Sequence, residues 1–403
     1  MSFLSYQESM ELLHNLKPTV LRQEKVFLSD ALERYLAEDI VADENSPSQP
    51  TSAMDGYAVL HSDLSKSNIN ILGDNPAGSD ETRTVTEGTC IKTFTGAVMP
   101  AGADTLIQIE NVTVEGNIIK IDTPVSFGNS VRPTGESYTE GEILIKRGTK
   151  IGFAEIGVMA GLNIAVVAVM LKPRVATLST GSEILEIGET QENSAQIRSS
   201  NHHTIAAIAT MAGAEVVQMG VVKDDMATIT ASFENALASA DIIVSTGGVS
   251  VGDYDFVKDV IPALGAKVIF KGVKIKPGQH ILVAQKGDKF ILGLPGFAYS
   301  STVTFLLYVI PLIKKFLGTE KVFEMVEATL SETFNKRSRK SEFTACNLAF
   351  KEGKYYVDFE GKKVGTSAIL TNMLGDAALI VSQEEDGVKQ KGEQVQVIKL
   401  DRF

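Results

Sequence analysis

The chain has 403 residues, 44% of them hydrophobic and 22% charged, with 34 glycines and a formal net charge of −12. That length exceeds one ordinary core, so two to four domains are expected, and the composition excludes a disordered or fibrous chain. The negative balance argues against a general nucleic-acid binder, which needs a basic footprint. Two distant cysteines, Cys90 and Cys346, without a CxxC partner, suggest neither a disulfide framework nor a zinc site and suit a reducing cytoplasm.

In chain order, the opening MSFLSYQESMELL lacks the basic and apolar regions of a signal peptide, and Ser5 with Glu8 reads as a capping box. Residues 5–40 read as two amphipathic helices. The second lies in LSDALERYLAEDI, with Ser29 as N-cap and Leu32, Tyr35 and Leu36 on one face. From Asn45 to about Tyr138, the runs YAVL, CIKTF, TLIQIE and NIIKID predict a small β domain. After an apolar, Gly-studded stretch at 150–170, strands RVATLST, AEVVQMG, DIIVST and KVIF alternate with helices over 200–211, 226–238 and 257–264. This order predicts a parallel sheet with helices on both faces and a ligand crevice at the carboxyl ends of its strands. The uncharged stretch from Phe297 to Ile313 contains Pro311 and stops at Lys314 and Lys315, so it reads as a buried helix rather than a membrane span. Beyond Lys321, FEMVEATL, FTACNLAF, KYYVDF, ALIVS and EQVQVIKL predict a second β domain. The basic run Lys336, Arg337, Arg339 and Lys340 reads as a solvated loop.

The strongest local motif is STGGVSVGDYDF, residues 245–256, between an apolar strand and a helix. Gly247 and Gly248 allow backbone N–H groups to approach an oxyanion, and the helix start adds a favourable dipole, although a structural strand-helix turn would look the same. Acids recur at three strand ends. Of these, Asp225 and Asp253 read as helix N-caps, leaving Glu183, Asp224 and Asp255 as oxygen donors suited to Mg²⁺ and a phosphate-bearing substrate. In KGVKIKPGQH, Lys274 and Lys276 share one side of an extended segment, and Lys276 beside Pro277 and Gly278 is held for a positioned role. GLPGFAYS delivers another Gly-rich turn into a helix, with Ser300 as a donor. Asp55-Gly56 and Thr95-Gly96 are by themselves ordinary turns. His202 and His203 are adjacent, which predicts divergent directions and a poor ligand pair.

Together, SAMDGYA, FTGAVMPAGADTLIQIE, VRPTGES, STGSEI, STGGVSVGDYDF, IKPG and GLPG, in this order, resemble the molybdopterin molybdenumtransferase family, which includes bacterial MoeA and the E domain of gephyrin. The resemblance covers nearly the whole chain. It implies a multidomain α/β protein in which a central doubly wound, molybdopterin-binding α/β domain is joined by two β-rich domains and a small helical N-terminal domain. The corresponding boundaries are 1–44 with 141–172 for the helical domain, 45–140 for the inserted β domain, 173–317 for the α/β domain and 318–403 for the terminal β domain.

The activity implied is Mg²⁺-dependent insertion of molybdate, as substrate, into adenylated molybdopterin with release of AMP. The site would be shared across a cytoplasmic homodimer, with other molybdenum-cofactor biosynthesis proteins as further partners and neither nucleic acid nor membrane involved. Matching motif positions assigns Asp55, Glu183, Asp224, Asp255 and Lys276 to catalysis, with Glu183, Asp224 and Asp255 toward the metal. Substrate contacts fall on Thr95, Arg132, Gly247, Gly248, Ser250, Pro277, Pro295 and Ser300. The chain departs from the family pattern at Ser137, Ser182, Gln279, Phe297 and Ala298. A related nucleotide-handling activity (adenylation of molybdopterin or pyrophosphate hydrolysis) and a scaffold that has lost catalysis are the alternative readings.

Overall fold

The computed structural model describes residues 3–80, 83–249, 256–336, 338–363 and 365–400. The chain forms two units, one of Met1–Ala37, Gly148–Gly152 and Val166–Phe403, the other of Glu38–Arg147 and Phe153–Ala165.

In the larger unit the first helix spans Tyr6–Asn15 and carries the expected capping box: Glu8 N–H donates to Ser5 Oγ at 3.2 Å, and Ser5 N–H donates to Glu8 Oε2 at 2.8 Å. Its other end is closed from a distance. Lys315 Nζ donates to the carbonyls of Leu13, His14 and Leu16 at 2.6, 2.7 and 2.8 Å, a cation on the negative end of the dipole.

The second expected helix does not form. Only a 3-10 turn at Leu28–Asp30 is present, and Glu33 takes a left-handed φ of 64°. The backbone there bonds across rather than along: Leu36 N–H donates to Thr149 O, and Met170 N–H to Tyr35 O. Tyr35 and Leu36 are both buried by this extended path whereas Leu32 stays exposed, so tertiary burial overrides helix propensity.

Farther on, a six-stranded sheet runs in the order Glu215–Val222, Arg174–Thr180, Ile242–Thr246, Lys289–Leu294, Leu282–Lys286, Lys267–Lys271. The first four strands are mutually parallel, as the strand-helix alternation predicts. Leu282–Lys286 runs against both its neighbours, so Lys267–Lys271 keeps the direction of the first four strands but, unlike a strand of the expected all-parallel sheet, pairs only antiparallel. The cause is a tight hairpin after Leu282–Lys286, where Gly287 supplies a φ of 58°.

Successive strand residues feed opposite faces. Ile242, Val244, Phe290 and Leu292 pack with Ile205, Ala209 and the 298–316 helical run, while Ile243 and Ile291 pack with Ile229, Phe233, Val257 and Val260. The 298–316 run is helical throughout, with a π turn at Phe305–Val309 just before Pro311, and is almost entirely buried. No helix among the described residues is long and apolar enough to cross a membrane.

After this run, five strands close into a ring: Ser341–Lys351, Lys354–Asp358, Met325–Leu330, Gln394–Lys399 and Ala377–Ser382, the last returning to the first. Ile275–Lys276 joins its rim, parallel to Ser341 and Glu342. The nearby basic residues are less solvated than expected, since Lys336 donates to the Glu384 carbonyl and Lys340 to Gln279.

The smaller unit contains a second six-stranded sheet, ordered Thr105–Gln108, Gly56–Val59, Thr89–Thr93, Ile69–Asn75, Ile118–Ile121, Val112–Glu115. Tyr57, Val59, Ile69, Cys90, Ile107 and Ile119 form its core. Burial pushes both thiols, Cys90 and Cys346, up to about 12, which keeps them protonated and unreactive.

Lys314 is 1% exposed, with Nζ 2.7 Å from Tyr35 Oη and 3.2 Å from the Ala212 carbonyl. Burial lowers its pKa to about 8. The folded state thus releases this proton before the unfolded state does, and the penalty for holding it is relieved as pH rises from about 8 toward the ordinary lysine value. Relative to Lys314→Met, the native chain should gain on the order of 1 kcal/mol between pH 7.5 and 9.5, read as diverging thermal midpoints.

Candidate functional site

At the carboxyl edge of the parallel strands, three chain segments approach within the limits of bare backbone. Gly247 has φ 91° and Gly248 φ 66°. A Cβ on Gly247 would lie 2.7 Å from the Thr180 carbonyl oxygen, and one on Gly248 would lie 2.7 Å from Val257 Cγ2. Gly247 N–H donates to Leu294 O at 3.0 Å, and Asn201 Nδ2 donates to Gly296 O at 2.7 Å. The ends of Arg174–Thr180, Ile242–Thr246 and Lys289–Leu294 are thereby stitched to the start of helix Asn201–Met211. Pro295 sits half-buried within this junction.

The acids of two strand ends meet through Ser182. Ser182 N–H donates to Asp224 Oδ2 at 3.1 Å, and Asp224 N–H returns to Ser182 Oγ at 3.3 Å. Glu183 follows directly and is exposed. Asp225 has the other fate: it caps helix Met226–Ser239, accepting from Thr228 N–H at 2.8 Å, and these bonds lower its pKa. Ser250, Asp253 and Asp255 lie outside the described residues.

Lys276 projects from the strand on the ring's rim, and its Nζ lies 3.3 Å from Glu342 Oε1. Glu342 is buried and also accepts from Ser338 Oγ at 2.9 Å. With Pro277, these groups line a small cleft closed by Tyr299 and Asn372. Gln279, next along, receives a hydrogen bond from Lys340, so a cation reaches this turn from outside KPGQH. Ser300 does not open to a ligand. It is 2% exposed, and its N–H and hydroxyl both donate to the Ser367 carbonyl, which corrects its reading as a free donor at a helix start.

In the smaller unit, Asp55 Oδ1 accepts from Thr95 N–H at 2.8 Å and from Thr95 Oγ1 at 2.7 Å. These two bonds hold the exposed Asp55 carboxyl below its usual range. Thr95-Gly96 is a turn, with Gly96 at φ 82°. Asp55-Gly56 is not: Gly56 begins a strand, and a Cβ there would lie 2.3 Å from the Ile107 carbonyl oxygen. The glycine is needed for close approach rather than for a turn. Arg132 pairs across from Thr51 and bonds Glu136, with Ser137 Oγ 3.4 Å from its guanidinium.

Sequence reasoning missed Glu342, which no spacing motif links to Lys276. It also misjudged the histidines. His202 and His203 have ring centroids 4.0 Å apart, and both Nε2 atoms face Glu186, at 3.2 Å and 3.6 Å. The rule that adjacent helical residues diverge weakens in a first turn, where side chains have no preceding turn to lie over and can both lean toward one neighbouring strap.

Thr95→Val should remove the hydroxyl bond and raise the Asp55 pKa toward the ordinary carboxylate value, whereas Thr95→Ser should leave it low. Carboxyl titration by NMR reads both. Asp225→Ala should lower the thermal midpoint through the lost cap.

Against known proteins, residues 4–162 match the MoeA N-terminal region (domain I and II) and residues 176–315 match a probable molybdopterin binding domain. The chain is 32% identical to the molybdopterin molybdenumtransferase of Nostoc sp. over 98% of its own length and 94% of the relative's. For the Bacillus subtilis protein of the same name the identity is 30%, over 94% and 90%. The crystal structure of the molybdopterin biosynthesis moeA protein from Pyrococcus horikoshii superposes with a TM-score of 0.85 at 27% identity, covering 99% of this chain and all of that one. Two domain matches in order, and whole-length identity above 30%, place this chain in the molybdopterin molybdenumtransferase family.

Proposed function

We propose that the protein inserts molybdenum from molybdate into adenylated molybdopterin and releases AMP, acting in the cytoplasm. The observation that carries this reading is the junction of Gly247, Gly248, Pro295 and the Ser182-linked acids at the carboxyl edge of the parallel strands. Such an edge suits a phosphate-bearing ligand, because close backbone and nearby carboxylates meet where α/β sheets bind nucleotides.

Glu183 and Asp224 offer hard oxygen donors from loops already fastened together, a donor set that fits Mg²⁺, and Asp255 would complete it. Bound there, Mg²⁺ would neutralise charge on the phosphoanhydride. Asp224 is held in place by Ser182, so its carboxylate is preoriented. Gly248 and Ser250 would receive oxyanion oxygens, with Gly247, whose own N–H is taken by the Leu294 carbonyl, keeping their approach clear of side chains, and Lys276, oriented by buried Glu342, would offer an ammonium. Asp55, kept ionised by Thr95, and Arg132 would act from the inserted domain, with Pro277 shaping the Lys276 turn. Water attacking the anhydride would free AMP and leave molybdopterin's own phosphate, and the two dithiolene thiols would take molybdenum from molybdate, their protons leaving with one molybdate oxygen as water.

This reading divides the chain into four domains, at 1–44 with 141–172, 45–140, 173–317 and 318–403. It also makes the working unit a homodimer with composite sites. The direct test supplies adenylated molybdopterin, Mg²⁺ and molybdate, and measures AMP release together with metal-bound cofactor. AMP release without metal-bound cofactor would indicate a pyrophosphate hydrolase instead, and neither product would indicate a scaffold.

Asp224→Asn should lower AMP release at least about tenfold, equivalent to about 1.4 kcal/mol of transition-state stabilisation, with an unchanged thermal midpoint. Mixing Asp55→Ala with Asp224→Ala chains should restore part of the activity, since one site of a mixed dimer would carry neither lesion. No rescue in demonstrated heterodimers would remove the shared site. Phe297 is 63% exposed at the start of helix Ala298–Thr304, so converting Phe297-Ala298 to Asn-Pro should change molybdate affinity more than stability.

A further inference from the structure

Glu186, His202 and His203 form a three-ligand group whose donor atoms all lie within 4.8 Å of one another, the only such acid and imidazole cluster among the described residues. From this geometry we propose that the three side chains bind a divalent cation of the zinc class. The inference is independent of the Mg²⁺ reading at Glu183 and Asp224.

The spacing fits the chemistry. Zinc-bound nitrogen and oxygen atoms sit roughly 2.0–2.2 Å from the metal, so two ligands on a tetrahedral centre are about 3.3 Å apart. Glu186 Oε1 to His202 Nε2 is 3.2 Å, and Glu186 Oε2 to His203 Nε2 is 3.6 Å. Two imidazoles and one carboxylate are the borderline donors that zinc prefers over the all-oxygen sets taken by Mg²⁺.

A second observation is the state of the nitrogens. His203 Nε2 is buried and has no hydrogen-bond partner, a costly condition that a bound cation would end. His202 is 1% exposed, and Ser199 Oγ lies 2.8 Å from its Nδ1. The serine can take a proton from that Nδ1, and the tautomer so formed presents the Nε2 lone pair that a metal ligand needs.

The third ligand is firmly mounted. Glu186 N–H donates to Glu189 Oε2 at 2.8 Å, and its carbonyl accepts from Arg198 at 2.9 Å, so the strap holding the carboxylate is pinned at the same residue. Gly220, at φ 76°, leaves room beside it, since a Cβ there would lie 3.3 Å from Glu186 Oε1. The helix start carries a positive dipole end that opposes a cation, which the full negative charge of Glu186 offsets.

The test uses the full-length, tag-free chain stripped of metal, titrated with Zn²⁺ in competition with a chromogenic chelator, and with Co²⁺ followed by visible absorption. One equivalent should bind, raising the thermal midpoint. His203→Asn and Glu186→Gln should each weaken binding by more than the roughly tenfold typical of losing an outer-shell partner, and abolish the Co²⁺ spectrum while leaving the metal-free midpoint in place. Glu183→Gln and Asp224→Asn should keep it. Absence of stoichiometric binding, unchanged affinity in His203→Asn and Glu186→Gln, or loss in Asp224→Asn would each overturn the site.

Discussion

Steric closeness at the carboxyl edge of the parallel strands is the constraint on which the rest of the proposed chemistry depends. Thr180, Thr246 and Leu294 end three neighbouring strands, and the Thr180 carbonyl comes so near Gly247, the next residue, that any side chain there would have to displace backbone. Such packing is possible only because the strands are parallel, ending level with one another and leaving their loops on one side. The glycines therefore serve two ends at once. They let the strand ends crowd together, and they leave peptide groups bare where a ligand's oxygens would lie.

The acids divide their roles in a similar way. Adjacent Asp224 and Asp225 share a loop and differ in what they bind, since Asp225 is consumed by the helix it caps while Asp224 turns back to Ser182 and joins the next strand end. Asp55 shows the complementary arrangement. An exposed carboxylate gains little from burial, so its protonation is set by local donors, here the two bonds from Thr95. Preorganisation of this kind requires no large core, which suits a small sheet whose apolar centre rests on few side chains.

Local pattern was legible wherever local forces decide. The capping box at Ser5 and Glu8, the strand-helix alternation and the cap at Asp225 are all present as read from the sequence. Reading failed where distant partners decide. LSDALERYLAEDI has helical spacing, yet Tyr35 and Leu36 are buried by extended pairing with Met170 and Thr149, residues more than a hundred positions away. KVIF keeps the parallel direction but pairs only with Leu282–Lys286, a strand that the downstream hairpin turns the other way. The Glu342 partner of Lys276 lies on a ring strand with no motif around it. Asp55 and Thr95 looked like separate turns for the same reason, since the two halves of one hydrogen-bonded pair stand 40 positions apart.

The strap after Arg174–Thr180 places two carboxylates three residues apart in different chemical company. Glu183 is exposed on a loop that the neighbouring Ser182 ties to another carboxylate, Asp224. Glu186 faces two imidazoles, one fully buried. A hard cation that keeps its waters gains most at the first position, and a borderline cation that accepts nitrogen gains most at the second. Discrimination between the two needs no difference in size or charge. It follows from which neighbours the helix Asn201–Met211 and the strand Glu215–Val222 bring to each residue. The two positions are also mechanically related, because Ser179, at the edge of the imidazole cluster, lies 2.9 Å from Thr246 Oγ1, the residue before Gly247. The imidazole cluster thus backs directly onto the glycine loop, the segment on which close approach to a ligand depends.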